Sequence, residues 1–181
     1  MLQQPTSDMS PLPAADILLS RSSRPWLLIR RLEQDDRAAL AAHLIGLPPE
    51  DRRTRFSGNL RDEAIRRHCD ELDLEETVCF AALDATGAVV GAALGFACGV
   101  GAGHRRWFAE IAVSVAPEHR RRGLGADLVA RVCGAVSARG ADSAVFEFDP
   151  SNIAIRGLVR QLGGRFAPRA DSCEIPLSAL N

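Results

Sequence analysis

The sequence predicts a mixed α/β sheet, and three observations carry that prediction. Thr77 to Leu83 and Ala88 to Cys98 are strand-like runs joined by Asp84-Ala85-Thr86-Gly87, a hairpin signal of the longer-loop kind that pairs them antiparallel. Leu124, Leu128, Val129, Val132, Cys133 and Val136 recur at helical spacing soon after a third strand-like run, Trp107 to Val115. A further strand, Ala144 to Phe148, and a further helix follow, so a central meander gives way to alternating helix and strand.

The elements before the meander are expected as follows. Residues 1–24 carry Pro5, Pro11 and Pro13 among polar residues and read as an irregular arm, with Ile17 to Leu19 at most a short extended piece. Residues 25–181 then form a single domain. Trp26 to Arg31 reads as a strand, and Glu33 to His43 as a helix with His43 on its flank, outside any site. Pro48-Pro49-Glu50-Asp51 opens a short helix that ends by Phe56-Ser57-Gly58, because proline suits the first turn and carboxylates suit the positive end of the helix dipole. Leu60 to Leu72 is amphipathic: Leu60, Ala64, Ile65, His68, Cys69 and Leu72 share one stripe, and His68 on its edge reads as structural.

The later elements follow the same logic. Gly99 to Gly103 closes the second meander strand, and the third has apolar or small residues on both faces, as a central strand covered on two sides requires. Arg139-Gly140 ends the long helix with a cation and a stop. Asp149-Pro150-Ser151-Asn152 breaks the next strand, and Ile155, Leu158, Val159 and Leu162 stripe a last helix closed by Gly163-Gly164. Arg165-Phe166 and Ser172 to Ile175 are expected as short closing strands.

Composition excludes several classes. The chain has 181 residues, 46% hydrophobic and 25% charged, which is enough for one real core. Its 22 basic and 23 acidic side chains nearly cancel, which argues against a protein built to neutralise nucleic acid or an anionic membrane. The arginine clusters, Arg105-Arg106 and Arg120 to Arg122, have no aromatic platform or groove-reading helix beside them. Five cysteines lack CxxC or metal-type spacing and read as reduced, mostly buried small hydrophobes, so no metal is expected. With no apolar run long enough to span a bilayer and no signal-peptide pattern at the N-terminus, the expected location is cytoplasmic.

Arg120-Arg121-Arg122-Gly123-Leu124-Gly125 lies between the third meander strand and the long helix. Its glycines let backbone approach a ligand, and the helix behind it offers unpaired N–H groups and a positive dipole end, which together suit a pyrophosphate. A basic loop that merely starts a helix has the same sequence, so element order has to decide.

In that order the hexapeptide matches the acyl-CoA loop (Gln/Arg)-x-x-Gly-x-(Gly/Ala) of the GNAT superfamily of N-acetyltransferases, which Trp26 to Ile175 resembles. Asn152 to Gly163 resembles the family's second motif. The resemblance is closest to the GNAT domain of bacterial protein-lysine acetyltransferases, through Leu47 to Phe56 before the sheet and Ala109-Glu110-Ile111-Ala112-Val113 as catalytic strand. It implies an α/β (α+β) fold, a mixed, mostly antiparallel central sheet flanked by helices on both faces. It also implies acetyl-CoA as cosubstrate, its pantetheine arm slotted between the fourth strand, at Val113 and Val115, and the next. Arg120, Arg121, Arg122, Gly123, Leu124 and Gly125 are the implied pyrophosphate cradle, and a primary amine, on a protein lysine or a small molecule, is the implied acceptor.

Transfer of an acetyl group from a thioester needs a neutral amine, and a lysine amine with pKa about 10.4 is protonated at neutral pH. Glu110 is the candidate base: it is an ionisable residue inside an otherwise apolar central strand, where burial raises a carboxyl's pKa, and the resembled enzymes use a glutamate in this position. A solvent-end or Arg106-paired glutamate is the alternative. Glu147, between Phe146 and Phe148, is the second catalytic candidate; it orients the amine, shares the relay or pairs with an arginine. Asn152 either hydrogen-bonds the pantetheine or caps its helix. Many GNAT enzymes protonate the departing thiolate with a tyrosine that falls here at Val159, and this chain contains no tyrosine. Water or Ser114 is left for that proton. A catalytically weak acyl-CoA-binding module is the competing reading.

Overall fold

A computed structural model describes residues 27–99 and 107–179. Within them, six strands form one sheet in the order β1-β2-β3-β4-β5-β6: β1 Leu28–Arg31, β2 Val78–Leu83, β3 Val89–Gly99, β4 Trp107–Val115, β5 Ser143–Glu147 and β6 Ser172–Pro176. Every neighbouring pair is antiparallel except β4 and β5. A parallel pair needs a crossover, and the long helix α4, Leu124–Ala138, supplies it. Three helices, α1 Arg37–Gly46, α2 Pro49–Arg55 and α3 Asp62–Glu71, separate β1 from β2, and α5, Ile153–Gln161, separates β5 from β6.

Strand alternation sends side chains to two cores. On one face Ala109, Ile111, Phe146 and Phe148 pack with Leu128, Val132 and Val136 of α4 and Val159 of α5. On the other, Cys79, Ala81, Ala92 and Leu94 pack with Leu40 and Leu44 of α1 and Ile65 and Cys69 of α3. Helices therefore cover both faces of the sheet. At about 25 cal/mol per Å² of apolar area removed from water, these two layers are the main source of stability. No helix among the described residues is long and apolar enough to cross a membrane.

The expected elements are found in the expected order, with local differences. Glu33 does not begin an α-helix: Gln34–Asp36 is a 3-10 turn in which Asp36 accepts the Glu33 N–H at 2.8 Å, and α1 starts only at Arg37. Leu60 lies ahead of α3 and is 38% exposed, so it is not part of that helix's buried stripe. Arg165-Phe166 is not a strand and pairs with no strand of the sheet among the described residues. Phe166 instead meets Phe148 edge-on at 5.3 Å under the Arg156 guanidinium, 4.5 Å from its ring. The expected arm at 1–24, the part of the glycine-rich closure that follows Gly99 and the Arg105-Arg106 cluster lie outside the described residues.

Candidate active site

β4 and β5 pair only at Phe108–Ser143, Ala109–Ala144 and Glu110–Val145. Beyond Glu110, β4 continues to Val115 without a β5 partner, while β5 stays with β6 through Glu147–Ser172. The two strands thus splay just past Glu110 and leave an opening. Val113 and Val115 are half-buried on its α4 side. Gly125, in the first turn of α4, completes the wall: a Cβ there would stand 3.3 Å from Leu158 Cδ1, 3.7 Å from Val115 Cγ2 and 4.0 Å from Val113 Cγ2. Any larger side chain would fill the space between β4, α4 and α5.

The loop that leads into α4 is tightly turned. Arg121 has φ 58° and Gly123 φ 80°, both left-handed, a conformation that glycine takes without strain and arginine does not. The first helical bond of α4 is donated by Asp127 N–H to the Gly123 carbonyl at 3.0 Å, and Gly123, at the N-cap, has no side chain with which to cap the helix. The N-terminal amides of a fifteen-residue helix therefore point at the mouth of the opening with the positive end of its dipole. Leu124 anchors this turn, its side chain buried in the core. Arg121 and Arg122 are exposed. Arg120 is engaged within the fold: its Nε donates to the Val115 carbonyl at 2.8 Å and its Nη2 to Asp51 Oδ2 at 2.6 Å.

Glu110, Ala112 and Ser114 point to the opposite face of β4, toward α1 and α2. Glu110 is half-buried, opposite Phe96 of β3 and Val145 of β5. Register partners share a face, and Phe146 and Phe148 enter the α4 core, so Glu147 stands on the Glu110 side, exposed at the end of β5. α2 lies against β4 here. Its Arg55 Nε and Nη2 are buried with no hydrogen-bond partner among the described residues. Burial pulls the Arg55 pKa below the usual guanidinium value, opposed first by the charge of Glu110. Arg53, also on α2, helps hold the Asp149 carboxyl below its ordinary pKa, after the two hydrogen bonds Asp149 accepts from Ser151.

Deeper along β4, His43 Nε2 and Ser114 Oγ hydrogen-bond at 2.9 Å. His43 is buried rather than on an open helix flank, and burial pushes its pKa down to about 4, against the pull of hydrogen bonds with the Val89 and Ser114 backbone. Asn152 caps α5: its Oδ1 accepts the Ile155 N–H at 3.2 Å. Val159, where the resembled enzymes carry a tyrosine, is fully buried. The cysteines are free, and burial pushes Cys69 and Cys133 up to about 11 and Cys79 to about 12, which leaves them as neutral thiols. Sequence reasoning missed Arg55, because α2 carries three arginines and no periodicity singles out the one that turns inward.

No curated protein sequence matches the chain. Solved structures share its fold. The GNAT domain of a protein acetyltransferase from S. lividans superposes with TM-score 0.68 at 20% identity, over 83% of this chain and 90% of that one. The yncA protein of Salmonella typhimurium, solved with its cofactor acetyl-CoA, gives 0.60 at 20% identity over 83% and 94%. A cAMP-binding acyltransferase from Mycobacterium smegmatis gives 0.59 at 20%, and there the match spans 88% of this chain but 46% of the larger protein. The model of the acetyltransferase (GNAT) family matches residues 32–163, and with the splayed sheet and uncapped α4 in place this chain belongs to that family.

Proposed function

We propose that residues 25–181 act as one domain that transfers an acetyl group from acetyl-CoA to a primary amine by direct attack in a ternary complex. The observation that carries this reading is the end of β4–β5 pairing at Glu110, directly in front of the uncapped start of α4. The amides of Gly123, Leu124 and Gly125, flanked by exposed Arg121 and Arg122, suit a pyrophosphate. With the Arg120 side chain bound to Val115 and Asp51, its part is to hold the loop in shape. Asn152 fixes the start of α5, which with Leu158 bounds the opening.

Acetyl-CoA supplies a thioester. The ammonium first gives one proton to Glu110, directly or through a water; the neutral nitrogen then forms the new C–N bond as the C–S bond breaks, and its second proton leaves to water. Glu147, on the same face of the sheet, attracts the cationic amine as it enters. The departing thiolate takes its proton from water, since Val159 brings no acid. Burial of a valine at that position also favours a second reading, an acyl-CoA-binding module of weak activity. Calorimetry with CoA and a thiol-release assay across amines test both. Glu110→Gln is expected to keep CoA affinity and lose about a hundredfold or more in turnover. Unchanged turnover removes Glu110 from the reaction, and CoA binding without turnover on any amine or protein extract selects the second reading.

A further inference from the structure

A buried guanidinium without hydrogen bonds is costly, and native proteins leave few such donors unmatched. Arg55 is one: Nε and Nη2 are both shielded and unpartnered among the described residues, although the residue as a whole is only half-buried. Its helix does not lack acceptors in general. Arg52, three residues earlier, donates to Asp62 and to the Leu60 carbonyl, each at 2.8 Å. Nor is Arg55 alone in its need. His68 Nε2 is likewise buried without a partner. Both flank one ring: the Arg55 guanidinium carbon lies 5.3 Å from the Phe56 centroid and the His68 ring meets Phe56 edge-on at 5.8 Å.

The charges around this pair define what is missing. Arg55 brings a cation, while the neighbouring thiols of Cys69 and Cys79 are neutral. Burial and the Arg55 charge also lower the His68 pKa, so its ring is neutral at pH 7. The charge of Glu110 is the first to oppose the effect of burial on Arg55, and no ion pair within 4.0 Å joins them. A guanidinium fork is complemented by a carboxylate, and a neutral imidazole beside it adds a further donor or acceptor.

We propose that Arg55 and His68 form a carboxylate-binding subsite on the Glu110 face of the sheet, and that the acceptor is a small amine carrying a carboxylate. Its amine faces Glu110 and its carboxylate faces Arg55, so an opposed pair of charges on the protein meets an opposed pair on the ligand. This rests on the acetyl-transfer reading for the amine's role, and on the two unpartnered groups for the carboxylate. The shielding of the donors favours a small ligand over a protein surface.

The test titrates amino acids of increasing spacing, from glycine through β-alanine to γ-aminobutyrate, and their primary amides, into the full chain with and without saturating CoA. Calorimetry reads the affinity of each pair. The amides keep amine and length and lack only the carboxylate. At a matching spacing the acid is expected to bind at least about tenfold tighter than its amide, since the bond it adds is charge-assisted. Arg55→Gln is expected to abolish that margin and Arg55→Lys to keep part of it, with the CoA titration of each variant reporting that it folds. Equal affinity of acids and amides, absence of binding by either, or a margin that survives Arg55→Gln overturns the proposal. Loss of CoA binding in the unaltered protein would instead overturn the acetyl-transfer reading, and the titrations without CoA would still judge Arg55.

Discussion

His43 shows how firmly the fold can fix one proton. Burial holds its pKa at about 4, whereas in the unfolded chain it returns to about 6.5. Between those values the unfolded state binds the extra proton, so stability is intact above pH 6.5 and falls as pH descends through 4. The loss amounts to about 2–3 kcal/mol by pH 4.5. Denaturant titrations at pH 7.5 and 4.5 measure it, and His43→Gln is expected to remove most of the difference. Burial lowers the His68 pKa too, so it contributes in the same direction below pH 6.5, while Asp36, with its pKa lowered by the Arg30 hydrogen bond, acts only at more acid pH. Legibility in the sequence divides along the same physical line. Glu110 stands out because one carboxylate interrupts an apolar strand. Nothing local tells Arg55 from Arg52 and Arg53, since its direction is set by the packing of α2 on β4, and His43 and Ser114 are brought together across 71 residues of chain.

At the level of elements, α4 ties sequence pattern to site. Leu124, Leu128, Val132 and Val136 bury one stripe against the sheet, which fixes the direction of the helix and points its uncapped start at the β4–β5 opening. The period of that stripe was readable, and so was the strand before it. The splay was not readable from periodicity, because Ile111, Val113 and Val115 alternate in the same way whether or not a neighbour pairs with them. Only the family resemblance supplied it. Arg165-Phe166 is a second case: strand propensity does not report that Phe166 packs on Phe148 beneath the Arg156 guanidinium instead of joining the sheet. The opening depends on a missing side chain. Gly125→Val is expected to place methyl groups against Leu158 and Val115, leave the helix stripe intact, and weaken CoA binding by about tenfold or more as the channel narrows. Calorimetric CoA affinity measured beside the thermal midpoint separates the two effects; a loss of stability with unchanged affinity would mean the groove is not the cofactor's path.

For the molecule as a whole, the sheet keeps two chemistries apart. Its α4 face carries the candidate cofactor loop, its α2 face carries Glu110, Glu147 and Arg55, and the ion pair of Arg120 with Asp51 at 2.6 Å ties α2 to the loop. With side chains 38% and 32% exposed, that pair contributes at most about 1 kcal/mol to stability. Its larger effect is geometric. Arg120 holds the Val115 carbonyl and Asp51 together, so the turn at Arg121 to Gly123 is braced against the acceptor-side helix. Asp51→Asn is therefore expected to leave the unfolding free energy within about 1 kcal/mol of the unaltered protein and to weaken CoA binding several-fold, because a looser loop must be ordered on binding. The opposite sign has a distinct meaning. If Arg120 grips the pyrophosphate with its own guanidinium, Asp51 competes for it, and Asp51→Asn would tighten CoA binding while Arg120→Gln weakens it. A double-mutant cycle on CoA affinity decides between brace and ligand: Arg120→Gln in the Asp51→Asn background should cost little more if the arginine acts through Asp51, and its full effect if it touches phosphate.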